Sequence, residues 1–134
     1  MKEGELLAEW SVAVEPWKVA DFARAVHDDH AAVPAPTFPV VLNAAFIERL
    51  VREILPVDRS RTVHGEQEYE YLRPLRLGDR LRCRARLKSD TVKQGRRGGA
   101  MRLLVVEIEM AEEATGSIVG WERSTSVETQ GLEG

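Results

Sequence analysis

The chain has 134 residues, of which 43% are hydrophobic and 31% are charged. These values predict a single folded domain over residues 1–134, with room for one modest core. The formal net charge is −3, and no half or tail of the chain is basic. This balance argues against a nucleic-acid-binding protein, because such proteins present a basic surface to the phosphate backbone.

The cysteine content and the hydropathy argue against further classes of protein, namely disulfide-linked, zinc-binding, secreted and membrane-spanning ones. Cys83 is the single cysteine, so the chain cannot form an internal disulfide, and no cysteine–histidine cluster has zinc spacing. We therefore expect no metal site. The N-terminus lacks the basic-then-apolar pattern of a secretory signal, and the apolar stretch around residues 40–55 carries too many charges to span a bilayer. A cytoplasmic protein without membrane contact is the resulting expectation.

The first third of the chain predicts a strand, a short helix and a loop. Apolar residues alternate over residues 6–14, which indicates a strand. A short helix is expected from Pro16, where the missing N–H of proline is harmless, to about Val26. Residues 27–36 contain two prolines and no periodicity, which is typical of a loop.

The strongest helix pattern covers Phe38–Leu55. Thr37 is its expected N-cap, and Pro56 ends it. Four charged residues gather on one side, and apolar residues cover the rest of the circumference. An apolar arc of this width predicts a helix that is largely wrapped by other structure, with Asn43 projecting from the middle of the arc.

From Val63 onward the period changes to two, which predicts strands. In residues 63–71 the even positions hold His64 and three glutamates, and in residues 81–87 they hold three arginines. Antiparallel pairing of these two strands would be favourable because opposite charges would face each other across the ladder. The predicted pairs are Glu70 with Arg82, Glu68 with Arg84, and Glu66 with Arg86.

The last third of the chain completes the predicted sheet. The glycine-rich residues 95–99 interrupt it, and a strand over 101–110, apolar on both faces in its first half, is expected to be central. A final strand over 117–127 carries Trp121 and Val127 on one side. One apolar helix and one antiparallel sheet predict the hot-dog fold of the α+β class, a curved antiparallel sheet wrapped around one long central helix. The edges of such a sheet require cover from a second copy or a homologous chain.

The sequence also resembles the dehydratase-like N-terminal domain of the MaoC-like dehydratase/hydratase superfamily. The resemblance lies in FARAVHDD (22–29), PAPTFP (34–39) and above all HGEQEYEYLRPLRLGD (64–79), and continues weakly through GRRGGAMRLLVVEIEM (95–110). It implies a role on (3R)-3-hydroxyacyl or trans-2-enoyl thioesters of coenzyme A or acyl carrier protein. No cofactor beyond that carrier is implied.

The chain departs from the family's catalytic pattern. Catalytic members carry G-D-x-N-P-x-H, whose aspartate and histidine position a water or transfer the proton. The matching stretch, residues 25–38, has no glycine before the aspartate and no Asn-Pro after it. In this respect the chain is similar to the family's non-catalytic domains, which shape the acyl tunnel beside a catalytic partner. The resemblance therefore implies a homodimer or a heterodimer with a catalytic MaoC-like hot-dog subunit.

Asp28, Asp29 and His30 are the candidates for a displaced catalytic pair. With them the chain would be a self-sufficient enoyl hydratase. The alternative is a solvated loop, because loop aspartates commonly hydrogen-bond their own backbone.

Asn43, His64 and Gly65 are candidates for substrate binding. Asn43 would hydrogen-bond the thioester carbonyl or a tunnel water, or alternatively a backbone group freed by the preceding prolines. His64 belongs to the HGEQ segment that carries the resemblance, but its even position groups it with the glutamates as a solvated histidine. Gly65 would admit a partner backbone or a phosphopantetheine arm, or would simply kink the strand.

Basic residues and carboxylates elsewhere define the remaining candidates. Lys93, Arg96 and Arg97 flank the glycine-rich turn, where they would attract coenzyme A phosphates or an acidic carrier protein, or would form a solvated hairpin tip. A hot-dog thioesterase would need a carboxylate at the helix, but Glu48 and Glu53 lie on its polar side. A thioester-binding protein without chemistry is the alternative outside the enzymes, because fold does not determine function.

Overall fold

The computed structural model describes residues 2–26, 34–94 and 99–129. Five strands form one antiparallel sheet with the spatial order β1-β3-β4-β5-β2. The strands are β1 (Leu6–Ala13), β2 (Thr62–Tyr71), β3 (Arg80–Gln94), β4 (Ala100–Glu112) and β5 (Ile118–Thr129). Strands β1 and β2 lie at the edges of the sheet, and β4 is central, as its apolar sequence predicts.

Helical segments precede the second strand. Helix α1 covers Pro16–Ala25, and helix α2 covers Pro39–Arg49. A π-helical turn, Leu50–Ile54, continues α2, and a 3-10 turn, Arg59–Arg61, leads into β2. The predicted long helix is therefore confirmed in extent, although its last turn is wider than an α-helical one. In the described part of the chain, no helix is long and apolar enough to cross a membrane.

The predicted N-cap of the long helix is wrong. Phe38 occupies the N-cap position, and no side chain caps the helix. The Phe38 amide donates to the Ala35 carbonyl at 2.9 Å, and the Val40 amide donates to the Thr37 carbonyl at 3.1 Å. The turn before Pro39 therefore runs directly into the helix, and backbone bonds take the place of a Thr37 side-chain cap.

The core lies between α2 and one face of the sheet. The first half of strand β3 shows the predicted alternation, because its odd-numbered residues from Leu81 to Leu87 are buried while its arginines are exposed on the other face. Phe38, Leu42 and Leu50 pack against this inner face. The buried residues of β3 are Leu81, Cys83, Ala85 and Leu87. The predicted arrangement of an apolar helix held against an antiparallel sheet is confirmed.

One face of α2 remains uncovered. Val40 and Val41 are 39% and 41% exposed, and Ala44 and Ala45 are exposed beside them. The helix is largely covered, as its apolar arc predicts, but these four residues are not covered within the described parts of the chain. We call these four residues the open face of α2.

The predicted pairing of the second and third strands is also wrong. Strand β2 pairs with β5, whereas β3 lies between β1 and β4. The connection over residues 72–79 therefore spans the sheet instead of forming a hairpin, and Arg73 holds it by donating to both Asp79 oxygens at 2.9 and 3.1 Å. Opposite charges do face each other, but on other strand pairs. These pairs are Glu9 with Arg84, Glu107 with Arg86, and Glu68 with Arg123.

Candidate functional site

Buried polar side chains link α2 to the sheet. Asn43 on α2 and Glu122 on β5 are both 0% exposed. Asn43 Nδ2 donates to Glu122 Oε1 at 2.7 Å, and Trp10 Nε1 on β1 donates to Asn43 Oδ1 at 3.0 Å. Both ends of the Asn43 amide are therefore bonded by side chains. Among the described residues, both of these partners are side chains and not backbone groups freed by the prolines.

Strand β2 extends this hydrogen-bonded set to the surface. Gln67 Nε2 donates to Glu122 Oε2 at 2.6 Å. His64 Nε2 lies 2.8 Å from Gln67 Oε1, and His64 is exposed. We call the set the polar row, and it runs from a buried indole to an exposed imidazole. Its members are Trp10, Asn43, Glu122, Gln67 and His64.

A β-bulge at Gly65 determines which way His64 points. His64 pairs with Ser126 and Glu66 pairs with Thr125, so Gly65 has no partner in the ladder. Because the extra residue changes the phase of the strand, His64 shares the inner face with Gln67 instead of the outer face with the glutamates. The expectation that grouped His64 with the glutamates is therefore wrong. Gly65 interrupts the strand, which corresponds to the kink considered for it.

The buried carboxyl is electrostatically unusual. Burial raises the pKa of Glu122 above its ordinary value, while hydrogen bonds from Asn43, Gln67 and Tyr69 act in the opposite direction. Burial, together with the nearby Glu122 charge, also raises the pKa of Tyr69 to about 12. Tyr69 therefore stays a neutral hydrogen-bond donor beside Glu122. Buried groups with shifted pKa values are concentrated at functional sites.

The inner face of β5 is polar beside this carboxyl. Ser124, which pairs with Gln67, and Ser126, which pairs with His64, are 2% and 7% exposed. Among the described residues, Ser124 Oγ is the buried side-chain polar atom that has no hydrogen-bond partner. A buried hydroxyl without a partner is unfavourable, so an apolar residue at this position of β5 would be expected to give a more stable fold.

An apolar cleft opens on the same side of the sheet. Residues 34–36 and 71–75 line it, with a volume of about 260 Å³. The Tyr71 hydroxyl donates to the Pro36 carbonyl across it. Tyr71 lies on the same face of β2 as Gln67 and Tyr69, because the three residues occupy alternate positions. The cleft is therefore at the Tyr71 end of the strand, beyond the polar row.

Several sequence candidates fall outside the residues that the structure describes. Asp28, Asp29 and His30 lie in one such segment, and Arg96 and Arg97 lie in another. The structure therefore neither supports nor opposes a role for them.

The remaining candidates lie on the surface. Lys93 is exposed near the end of β3, where it pairs with Met101 of β4. Glu53 forms an ion pair with Arg49 at 3.0 Å, and Glu48 forms one with Arg59. Neither carboxylate points into the core, as their polar-side position predicts.

Glu122 and Gln67 were missed by the sequence reasoning. Polar residues occupy both faces of β5, so alternation does not reveal which face is buried. Gln67 sits among glutamates in a strand whose phase changes at Gly65. The sequence carries no clear signal for either residue.

The same arrangement of sheet and helix occurs in solved hydratases and dehydratases. The chain aligns with one from the C-terminally truncated HadBC (3R-hydroxyacyl-ACP dehydratase) complex of Mycobacterium tuberculosis at a TM-score of 0.70 and 21% identity, covering 93% of this chain and 96% of that one. The R-hydratase PhaJ1 from Pseudomonas aeruginosa aligns at a TM-score of 0.62 and 17% identity, covering 96% and 82%. The chain therefore has the hot-dog fold of the MaoC-like dehydratases.

Sequence comparison identifies the family. The family model for the FAS1-like dehydratase domain region matches residues 3–119. A UPF0336 protein of Tropheryma whipplei (strain Twist) is 32% identical over 117 residues, covering 76% of this chain and 80% of the relative. Another UPF0336 protein, from Thermobifida fusca (strain YX), is 30% identical over 118 residues, covering 76% and 74%. The chain belongs to the FAS1-like dehydratase domain family.

Proposed function

We propose that this chain is the substrate-shaping, non-catalytic subunit of a (3R)-3-hydroxyacyl-thioester dehydratase or trans-2-enoyl-thioester hydratase. It acts with a second hot-dog subunit that supplies the catalytic aspartate and histidine. Membership of the dehydratase family supports the reaction class. The altered pattern over residues 25–38 supports the division of labour, because proton transfer needs a carboxylate and an imidazole held at one reacting centre.

The open face of α2 is the observation that best supports the proposal of a partner subunit. Val40, Val41, Ala44 and Ala45 form a contiguous apolar surface on the helix that otherwise packs into the core. Apolar patches of this kind mark interaction sites. Strand β2 also lies at a sheet edge, with backbone groups available for a further strand. A second hot-dog subunit offers both a helix and a strand to cover these surfaces.

The charges of β2 favour a different chain over a second copy. Glu66, Glu68 and Glu70 are exposed along this edge strand. Antiparallel self-pairing through the edge would bring the carboxylates of two copies together, which is destabilising. Arg123 contacts Glu68 and Glu70 at 3.7 and 3.1 Å and offsets part of this charge. A partner strand with lysine or arginine at the facing positions would remove the repulsion.

The acyl chain is assigned to the apolar cleft between residues 34–36 and 71–75. Binding sites for small ligands combine apolar walls with a few convergent polar groups. The cleft supplies the walls at the Tyr71 end of β2, and Gln67 of the polar row, four residues or roughly 13 Å back along the strand, supplies a polar group for the thioester end.

Reconstitution tests this function. The chain is purified alone and together with the hot-dog protein that co-purifies from the native lysate, and hydration of crotonyl thioesters is measured. We expect little activity from the isolated chain and full activity from the complex. A partner variant that lacks its catalytic aspartate is the control, and it should abolish activity.

Two results would contradict the proposal. Full activity from the isolated chain would assign catalysis to its own Asp28, Asp29 and His30, and His30→Ala should then abolish turnover. A complex that binds thioesters and does not hydrate them would instead favour a binding protein without chemistry.

A further inference from the structure

The polar row has a fixed direction at its buried end. The indole N–H of Trp10 can only donate, so the Asn43 oxygen must accept from it. The Asn43 NH₂ group therefore faces Glu122 and donates to Oε1. The buried end of the row thus presents a donor, and not an acceptor, to the carboxylate.

This direction continues to the surface. Gln67 presents its NH₂ group to the second oxygen of the Glu122 carboxylate, which leaves Gln67 Oε1 facing the imidazole. Because that oxygen can only accept, His64 Nε2 must carry the hydrogen. In the neutral ring Nδ1 is then unprotonated and can accept a hydrogen bond.

We propose that His64 binds the substrate through Nδ1, which accepts a hydrogen bond from a hydroxyl group, and that Gln67 and Glu122 are its positioning residues. An unprotonated nitrogen binds a donor such as the 3-hydroxyl of a 3-hydroxyacyl thioester, and it does not bind a carbonyl oxygen. Behind His64, Gln67 is half-buried and Glu122 and Asn43 are fully buried, while the imidazole itself is exposed and accessible to a ligand. This ligand class rests on the proposed function.

Two separate structural features orient His64. The bulge at Gly65 turns it to the inner face, although a bulge interrupts the regular ladder. The buried Glu122 then fixes its tautomer through Gln67, although burying a carboxylate is unfavourable compared with apolar packing. A solvated histidine on an edge strand would require neither feature.

The tautomer can be tested on the isolated chain. Long-range proton–nitrogen spectra of the chain with ¹⁵N-labelled histidine, recorded at mildly alkaline pH, report which ring nitrogen carries the hydrogen. The chain has three histidines, and the signals of His64 are assigned by their loss in His64→Gln. We expect the Nε2–H form. An Nδ1–H form or a rapidly exchanging mixture would overturn the proposal.

Glu122→Gln provides a directional check. The new amide would accept from Asn43 through its oxygen and donate to Gln67 through its nitrogen. Gln67 must then turn and present its NH₂ group to His64 Nε2, so the ring hydrogen moves to Nδ1. We expect the tautomer to switch in this variant. A folded variant with an unchanged tautomer would show that Glu122 does not position His64.

The ligand assignment is tested by binding, separately from turnover. His64→Ala removes the acceptor at Nδ1 together with the rest of the imidazole. We expect it to weaken binding of (3R)-3-hydroxybutyryl-CoA by about tenfold, as for one lost hydrogen bond, and to leave crotonyl-CoA binding unchanged. Val63→Ala, at the exposed neighbouring residue, is the matched control and should change neither affinity.

Measurements on the chain alone and in the reconstituted complex distinguish the two proposals. Normal hydration by the complex together with equal hydroxyacyl affinity in His64→Ala would overturn the inference about His64 alone. Hydroxyacyl binding that depends on His64 in a complex without hydratase activity would contradict the proposed function alone. A chain and a complex that bind neither thioester would overturn the ligand assignment.

Discussion

A Cβ atom at Gly65 would lie 2.7 Å from Cγ2 of Val127 on the neighbouring strand. Real Cβ atoms essentially never approach this closely, so the bulge in β2 depends on the missing side chain at this position. Since the bulge turns His64 to the inner face, this one glycine determines whether the polar row reaches the surface.

Gly65→Ala should therefore be destabilising. The added methyl group forces β2 away from β5 or displaces Val127, and overpacking of this kind lowers the free energy of unfolding by about 1–3 kcal/mol. Urea unfolding measures the loss. Gly99→Ala is the control, because no atom lies within 4 Å of its Cβ position. Val127→Ala should recover part of the loss, and a Gly65→Ala protein as stable as the original would show that the strands do not make this contact.

Glu122 should make stability fall as pH rises. Its pKa is raised in the folded state, above the ordinary value of 4.5, so the folded protein holds this proton more tightly than the unfolded chain. The resulting stabilisation is complete below about pH 4.5 and is lost as pH rises through the raised pKa, by at most about 1.4 kcal/mol per pH unit. Urea unfolding at several pH values, compared with Glu122→Gln, isolates this contribution. If the free energy of unfolding of the original protein, relative to that of Glu122→Gln, stays constant or increases as pH rises, the assignment is contradicted.

The Arg73–Asp79 pair should have the opposite pH dependence. Burial alone would raise the pKa of Asp79, but hydrogen bonds from Arg73 and the Arg76 amide bring it below its ordinary value. The stabilisation is therefore present above the ordinary value and is lost as pH falls through the lowered pKa. Asp79→Asn should lower the free energy of unfolding by about 1–3 kcal/mol at neutral pH, with the difference shrinking in acid.

The matched control for that pair is Asp21→Asn. Asp21 and Arg24 form an ion pair whose side chains are 56% and 77% exposed, and such surface pairs contribute at most about 1 kcal/mol. An Asp79→Asn protein that is no less stable than this control would show that the connection between β2 and β3 does not depend on the pair.

Val41→Glu should weaken association with the partner subunit. Val41 is 41% exposed on the open face of α2, so a glutamate there remains solvated in the isolated chain and becomes buried in the interface. We expect at least a tenfold weaker association by sedimentation or titration calorimetry, which corresponds to about 1.4 kcal/mol. Val92→Glu, at a residue of β3 that is 66% exposed and outside the open face, should leave association unchanged. Equal affinities for the two variants would place the interface elsewhere.

The fold was predictable because its main signals are local. The apolar helix and the alternation in β3 follow from periodicity alone. Strand pairing was not predictable from charge, because several strands carry complementary residues. Arg84 lies opposite Glu9 on one side and Glu109 on the other, so charge complementarity to β2 does not distinguish among its possible neighbours.

The site was less predictable than the fold. Asn43 was identified because an amide in an apolar arc is conspicuous. The orientation of His64 depends on a bulge of one residue, and strict alternation assigns it to the wrong face. Glu122 is surrounded by polar residues in sequence, so its burial follows only from the tertiary position of β5 next to α2.

The wide turn at the end of α2 has a consequence for chain length. Its closing bond joins the Leu55 amide to the Leu50 carbonyl at 2.7 Å, and both leucines are buried. In a regular α-helix, residues five apart are rotated by about 140°, which would direct one of the two side chains away from the core. The π-helical turn Leu50–Ile54 thus contains one residue more than an α-helical turn would. The extra residue allows both Leu50 and Leu55 to point into the core.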